Sequence, residues 1–221
     1  MIQHHPSDEL LLAAAAGTLD SGAAIVLGAH LETCARCRAD LHLFEGLGGA
    51  MLEAIEPALM APEALASTLA TIDGAQAPTP RPAAPTVPAP LRPDLPPGVT
   101  WPRSLAHCSI SRWHWMGPGM RWSRITVPHD RDANVFLLRI GAGKALAQHT
   151  HSGLELTHVM CGAFHDGRAL FAAGDFDAAD ASVRHQPVLE ADGECICLAA
   201  VKGRLVFDGA IARVIGSLVG I

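Results

Sequence analysis

His30, Cys34 and Cys37, spaced His-x3-Cys-x2-Cys, have the side-chain types and the spacing to grip one metal ion. Two thiols at the start of a helix bind together, an imidazole one turn upstream supplies a third ligand, and tetrahedral zinc then wants a fourth. His5, ahead of its neighbour His4, is the histidine that can fold back onto the site. A bare Cys-x2-Cys reads equally well as two small buried hydrophobes, and the added histidines turn the reading towards structural zinc. A disulfide is disfavoured, because the first residues include His4, His5, Pro6, Asp8 and Glu9 rather than the basic head and apolar core of a secretory signal. The longest nearly apolar run, residues 10–16, is too short to span a bilayer. The expected compartment is therefore the cytoplasm, where thiols stay reduced.

A second constellation is Gly143-x5-His149-x-His151-x3-Glu155-x6-Gly162, followed by Gly174-x10-His185. His149 and His151, two apart on a strand, face the same side, and Glu155 on the next strand can return a carboxylate to the same ion. These spacings match the two metal motifs of the cupin barrel, except that Asp180 and Ser182 stand where that pattern carries a proline and a glycine. Three histidines and a carboxylate suit zinc, iron(II), manganese or nickel, and spacing does not choose among them. Four buried ionisable groups without an ion would be costly. His158, three residues past Glu155, points to the opposite face, and His42, His107, His114, His129 and His165 lack ligand spacing. Cys195 and Cys197 share one face of a strand, with Cα atoms about 6.5–7 Å apart, the upper limit for a bridge. Core packing is the first reading of that pair, and a redox or metal-adjacent role the second.

The elements that must position these groups divide the chain in two. Of the 16 prolines, ten lie between Pro78 and Pro102, which predicts an extended, semi-rigid linker over residues 76–103. Residues 1–75 carry ten acidic side chains against Arg36 and Arg38, a net of −8, while the whole chain is −6. So acidic a module is a poor binder of phosphate backbones and suits a basic protein partner, which argues against a DNA-binding finger.

The acidic module reads as helices. Ser7 can cap the first, ending near Gly17, and Ser21 the second, ending about His30. A third begins near Thr33 and should weaken or bend across Gly46, Gly48 and Gly49, and a fourth follows Pro62 with Leu65 and Leu69. Some 75 residues are marginal for an independent core, so a metal staple makes physical sense. Met51, Leu52, Leu59, Met60, Leu65 and Leu69 exceed what so small a body can bury and would face a partner, with ordinary helix packing as the competing reading for any one of them. Residues 104–221 change to short β-rich runs at 135–140, 154–161, 169–172, 195–201 and 204–207, punctuated by Asp-Gly turns, the pattern of a closed or sandwiched jelly-roll structure.

With both constellations placed, the whole chain resembles the ChrR family of anti-sigma factors. The matching stretches are HHPSDELLLAAAAGTLD with His5, HLETCARC with His30, Cys34 and Cys37, HTHSGLELTHVMCGAF with His149, His151 and Glu155, and VRHQPV with His185, followed by ECICLAA. The resemblance implies a multidomain α + β chain: a small zinc-bound helical anti-sigma domain, a linker, and a cupin-like jelly-roll barrel that also carries zinc or another divalent metal. It implies a repressor that holds a group IV, extracytoplasmic-function-type sigma factor away from core RNA polymerase, with no direct contact to nucleic acid or membrane. The cupin-like domain would be needed for release in response to singlet oxygen and related oxidants. The competing reading is a metal-dependent cupin enzyme, a dioxygenase or isomerase, with an N-terminal interaction module. Four ligands on a six-coordinate ion leave positions open, so ligand count does not exclude it. Against it, the chain has no Tyr and no obvious general-base pair beside the metal motif.

Overall fold

The computed structural model describes residues 1–75, 92–191 and 193–208, so most of the proline-rich stretch and the last 13 residues lie outside the description. Four helices come first: α1 (Asp8–Ala15), α2 (Ser21–Thr33), α3 (Ala35–Glu53) and α4 (Ala64–Gly74). Ser7 caps α1 by accepting from the Leu10 N–H, and Asp8 and Glu9 occupy the first turn, where the helix dipole favours them. Asp20 caps α2 in place of Ser21, its carboxylate accepting from the Ala23 N–H at 2.8 Å. Cys34, in extended conformation, separates α2 from α3. α3 then runs 19 residues with no interruption at Gly46, Gly48 and Gly49. A glycine weakens a helix by about 1 kcal/mol but does not remove its hydrogen bonds, so three of them need not break one.

Twelve strands follow among the described residues: β1 (Ser109–Ile110), β2 (His114–Gly117), β3 (Met120–Val127), β4 (Asp130–Ile140), β5 (His149–His151), β6 (Leu154–Cys161), β7 (Ala163–His165), β8 (Leu170–Ala172), β9 (Phe176–Ala179), β10 (Val188–Leu189), β11 (Cys195–Lys202) and β12 (Leu205–Phe207). The main sheet has the order β1-β3-β4-β11-β6-β9, with β2 also on β3. The β10-β7-β8 sheet and the β12-β5 ribbon complete a jelly-roll barrel in which all pairings are antiparallel.

Side-chain alternation sends the two faces of the main sheet to two cores. Phe136, Leu138, Ile140, Val159, Cys195, Cys197, Ala199 and Val201 fill the barrel. Val135, Leu137, Leu156, Ile196, Leu198 and Ala200 point outward, and there they meet Ile25, Val26 and Ala29 of α2 and Leu11 of α1. The helical module therefore does not stand on a core of its own, as its length alone would suggest. Gly22 lies where helix and sheet come close, and an added Cβ there would be 3.3 Å from both Ala200 and Val135. Within the stretch read as linker, Arg92 donates to the Leu105 carbonyl at 2.9 Å and the Asp94 carbonyl accepts from the Trp113 indole at 3.0 Å, so residues from 92 onward are packed on the fold.

Candidate metal centres

The break between α2 and α3 builds the first centre. His30 lies in the last turn of α2, Cys34 at the joint, and Cys37 in the first turn of α3, whose positive end favours thiolates. His5 arrives from the extended segment before α1, and its Nδ1 sits 3.5 Å from Cys34 Sγ and 3.3 Å from Cys37 Sγ. His30 Nε2 is 3.3 Å from Cys37 Sγ. Tetrahedral zinc with ordinary Zn–S and Zn–N bonds requires nitrogen–sulfur edges of about 3.5 Å, so this donor set fits that ion. His4, the other histidine considered from sequence, turns away: its Nε2 bonds the Leu170 carbonyl at 3.1 Å and its ring lies 4.5 Å from that of Phe171.

Protonation in this centre follows from burial. Burial lowers the pKa of His30, against the pull of the Gly174 carbonyl, so the imidazole is held neutral as a ligand must be. Burial, followed by the neighbouring Cys34 thiol, pushes Cys37 up to about 12, so it needs a cation to become a thiolate near neutral pH. Beneath His30, on the outward face of β6 as its spacing predicts, lies His158, buried and pushed down to about 4 by that burial.

The second centre sits inside the barrel. β5 presents His149 and His151 on one face, Glu155 follows on β6, and His185 is tied to His149 by a pair of backbone hydrogen bonds of 3.0 and 3.1 Å. All four side chains are buried, with ligand atoms within 4.8 Å of one another. The bend between β5 and β6 needs Gly153, since a Cβ there would meet the Lys202 carbonyl oxygen at 2.1 Å.

Hydrogen bonds decide the tautomers of this centre. His149 Nδ1 donates to the Ala147 carbonyl at 2.8 Å and His185 Nδ1 to Asp166 Oδ2 at 3.2 Å. Both Nε2 atoms are therefore bare, yet they lie 3.1 Å apart. Two lone pairs at that distance repel unless a cation stands between them, so the residues fit a bound metal. Burial lowers both pKa values. Burial opposes the charge on Glu155, but His151, 2.7 Å away, overrides it and brings the carboxyl below its usual range.

Sequence reasoning passed over the groups around His185. Asp166 is gripped by Arg168, which also bonds Asp177 at 2.7 Å, so the guanidinium already joins the carboxylates of this acidic cluster. The Asp-Gly pair at 166–167 read only as a turn, and nothing in its spacing pointed to His185. Beside the centre is a cavity of about 120 Å³ lined chiefly by apolar groups, among them Met116, Met120, Phe164 and Leu189. Cys195 and Cys197 line it too, unbridged and with sulfurs 3.6 Å apart.

Comparison with known proteins places these features in a family. Residues 102–203 match the family model described as the ChrR cupin-like domain. The chain is 38% identical over 216 residues to the anti-sigma-E factor ChrR of Cereibacter sphaeroides, covering 97% of this chain and 96% of that protein. Its fold matches a chain in the crystal structure of Rhodobacter sphaeroides SigE in complex with the anti-sigma ChrR. That match has a TM-score of 0.69 and 33% identity, and covers 91% of this chain and all of that one.

Proposed function

The chain belongs to the ChrR family of anti-sigma factors, and from that premise we propose that it binds a group IV, extracytoplasmic-function-type sigma factor, keeps it from core RNA polymerase, and releases it under oxidative stress such as singlet oxygen. The observation that carries the binding step is the apolar surface of α3 and α4. Leu43, Leu47, Met51 and Leu52 on the first and Leu65, Leu69 and Ile72 on the second are all exposed, and α4 buries none of its residues. A patch of this kind calls for a partner. The net charge of −8 on residues 1–75 suits the basic surfaces with which a sigma factor meets DNA.

His5, His30, Cys34 and Cys37 would hold zinc, whose contribution there is structural: it ties the start of the chain to the α2–α3 joint. His149, His151, Glu155 and His185 would hold zinc or another divalent metal beside the thiol-lined cavity, where an oxidant could be detected. Similarity to a regulator across both modules favours this reading over a cupin enzyme. The proposed compartment is the cytoplasm, where sigma factors act; among the described residues no helix is long and apolar enough to cross a membrane.

The test is co-purification of the full chain with a group IV sigma factor from the same organism, joined to transcription in vitro from that sigma factor's promoter. A stable complex that silences the promoter is expected. A sigma factor that neither binds nor loses activity would overturn the proposal.

A further inference from the structure

Two of the four candidate ligands in the N-terminal centre are held in place by the barrel rather than by the helical module. The turn between β8 and β9 reaches across the module boundary. Its Gly174 carbonyl accepts from His30 Nδ1 at 2.9 Å, which fixes the tautomer and leaves Nε2 bare towards Cys37 Sγ. Asp175, the next residue, is buried, and its Oδ1 accepts from the backbone N–H groups of Gln3 at 2.7 Å and His4 at 3.1 Å. Its Oδ2 accepts from the Ala172 N–H at 2.8 Å, which braces the carboxylate against its own turn. The Phe176 N–H then donates to the His4 carbonyl at 3.1 Å. These bonds set the extended segment whose next residue is His5. Gly174 has φ +94°, and a Cβ there would come within 2.8 Å of the Ile2 side chain, so turn and chain start are fitted to each other.

We propose that Gly174 and Asp175 are positioning residues of the N-terminal metal centre, so that the affinity of that centre for its metal is set by the barrel. The inference rests on the reading of His5, His30, Cys34 and Cys37 as a metal site. Partners that orient metal-bound imidazoles change metal affinity about 10- to 100-fold when removed. Asp175→Ala deletes both contacts to the segment carrying His5 and the brace of the turn that holds His30, and its effect belongs in that range.

The experiment uses the full-length chain with cobalt(II) as the probe and a competing chelator. Thiolate-to-cobalt charge-transfer absorption reports the N-terminal centre and is assigned by its weakening in Cys37→Ser and its loss when Cys34→Ser is added. Asp175→Ala is expected to weaken cobalt binding at this band at least tenfold, while the affinity of the thiolate-free barrel centre stays within twofold. Gln3→Pro removes one donor to Asp175 from the other side and leaves the barrel sequence untouched, so it carries the test if Asp175→Ala does not fold. A loss of at least threefold is expected for it. A parent chain without the band would overturn the metal reading and this inference with it. A parent band with unchanged affinity in the variants, or equal losses at both centres, would overturn the inference alone.

Discussion

Leu198→Ala tests whether helices and barrel form one cooperative body. Leu198 is fully buried on the outward face of β11, between Leu137 of β4 and His158 of β6, in the core shared with α2. The substitution deletes three carbons, a loss of about 2.4 kcal/mol at roughly 0.8 kcal/mol for each methylene-sized group. A residual void of the order of 50 Å³ adds about 1 kcal/mol at roughly 24 cal/mol per Å³. The expected destabilisation is therefore about 3–4 kcal/mol. All four tryptophans lie between Trp101 and Trp122, none in residues 1–75, so tryptophan fluorescence reports the barrel while the far-ultraviolet helix signal reports the N-terminal module. In denaturant titrations of the metal-loaded chain, both signals should shift together to lower denaturant. A helix transition that stays in place while fluorescence moves, or a change below about 1 kcal/mol in both, would refute the shared core.

Cys34→Ala or Cys37→Ala should abolish sigma binding and give constitutive transcription of the sigma factor's targets, read with a promoter reporter; full repression by either variant would remove the structural role given to the first centre. Alanine at His149, His151, Glu155 or His185 should leave repression intact in unstressed cells and blunt induction by a photosensitiser and light. Normal induction in those variants would move detection to the thiols of the first centre. A fragment ending in the proline-rich stretch keeps the α3–α4 surface but uncovers Ile25, Val26 and Ala29, so it should silence the sigma factor when co-expressed yet aggregate when produced alone, as measured by gel filtration. Gly162→Ala should cost more than about 2 kcal/mol in thermal or denaturant unfolding, because Gly162 has φ +75° and an added Cβ would meet the Glu194 carbonyl oxygen at 2.2 Å.

Seven of the eight candidate ligands were named from spacing that metal coordination imposes on sequence: His149 and His151 must alternate with Thr150, and His30 must precede Cys34 by a helical turn; His5 had no spacing to mark it and was chosen over His4 only as the histidine able to fold back. The runs that became β4, β6, β8, β11 and β12 were legible from their β-rich content and flanking turns, whereas β1, β2, β7 and β10, two to four residues each, offered no such run, and the eight-residue β3 was missed because Arg121, Ser123 and Arg124 break up its apolar positions. Asp175 and Asp166 were invisible for another reason. Each acts on a residue far away in the chain, through bonds that any aspartate in a turn could make locally. The docking of the helices on the barrel had a signal that was read only as β-propensity. In CICLAAV, residues 195–201, no position is polar, and an unbroken apolar run is what a strand covered on both faces requires.

That strand is a party wall. Cys195, Cys197, Ala199 and Val201 face the cavity side, and Ile196, Leu198 and Ala200 face the helices, with one layer of backbone between them. Every residue from 195 to 201 is buried. Inside the barrel the cavity of about 120 Å³ leaves Cys195 and Cys197 some room, whereas Ile196 and Leu198 are fully buried against the helices, so the two rooms differ in how freely they can be refurnished. A scan of all replacements at these seven positions should find tolerance narrowest at Ile196 and Leu198, where only side chains of nearly the same volume fit, and wider at Cys195 and Cys197, which border the cavity.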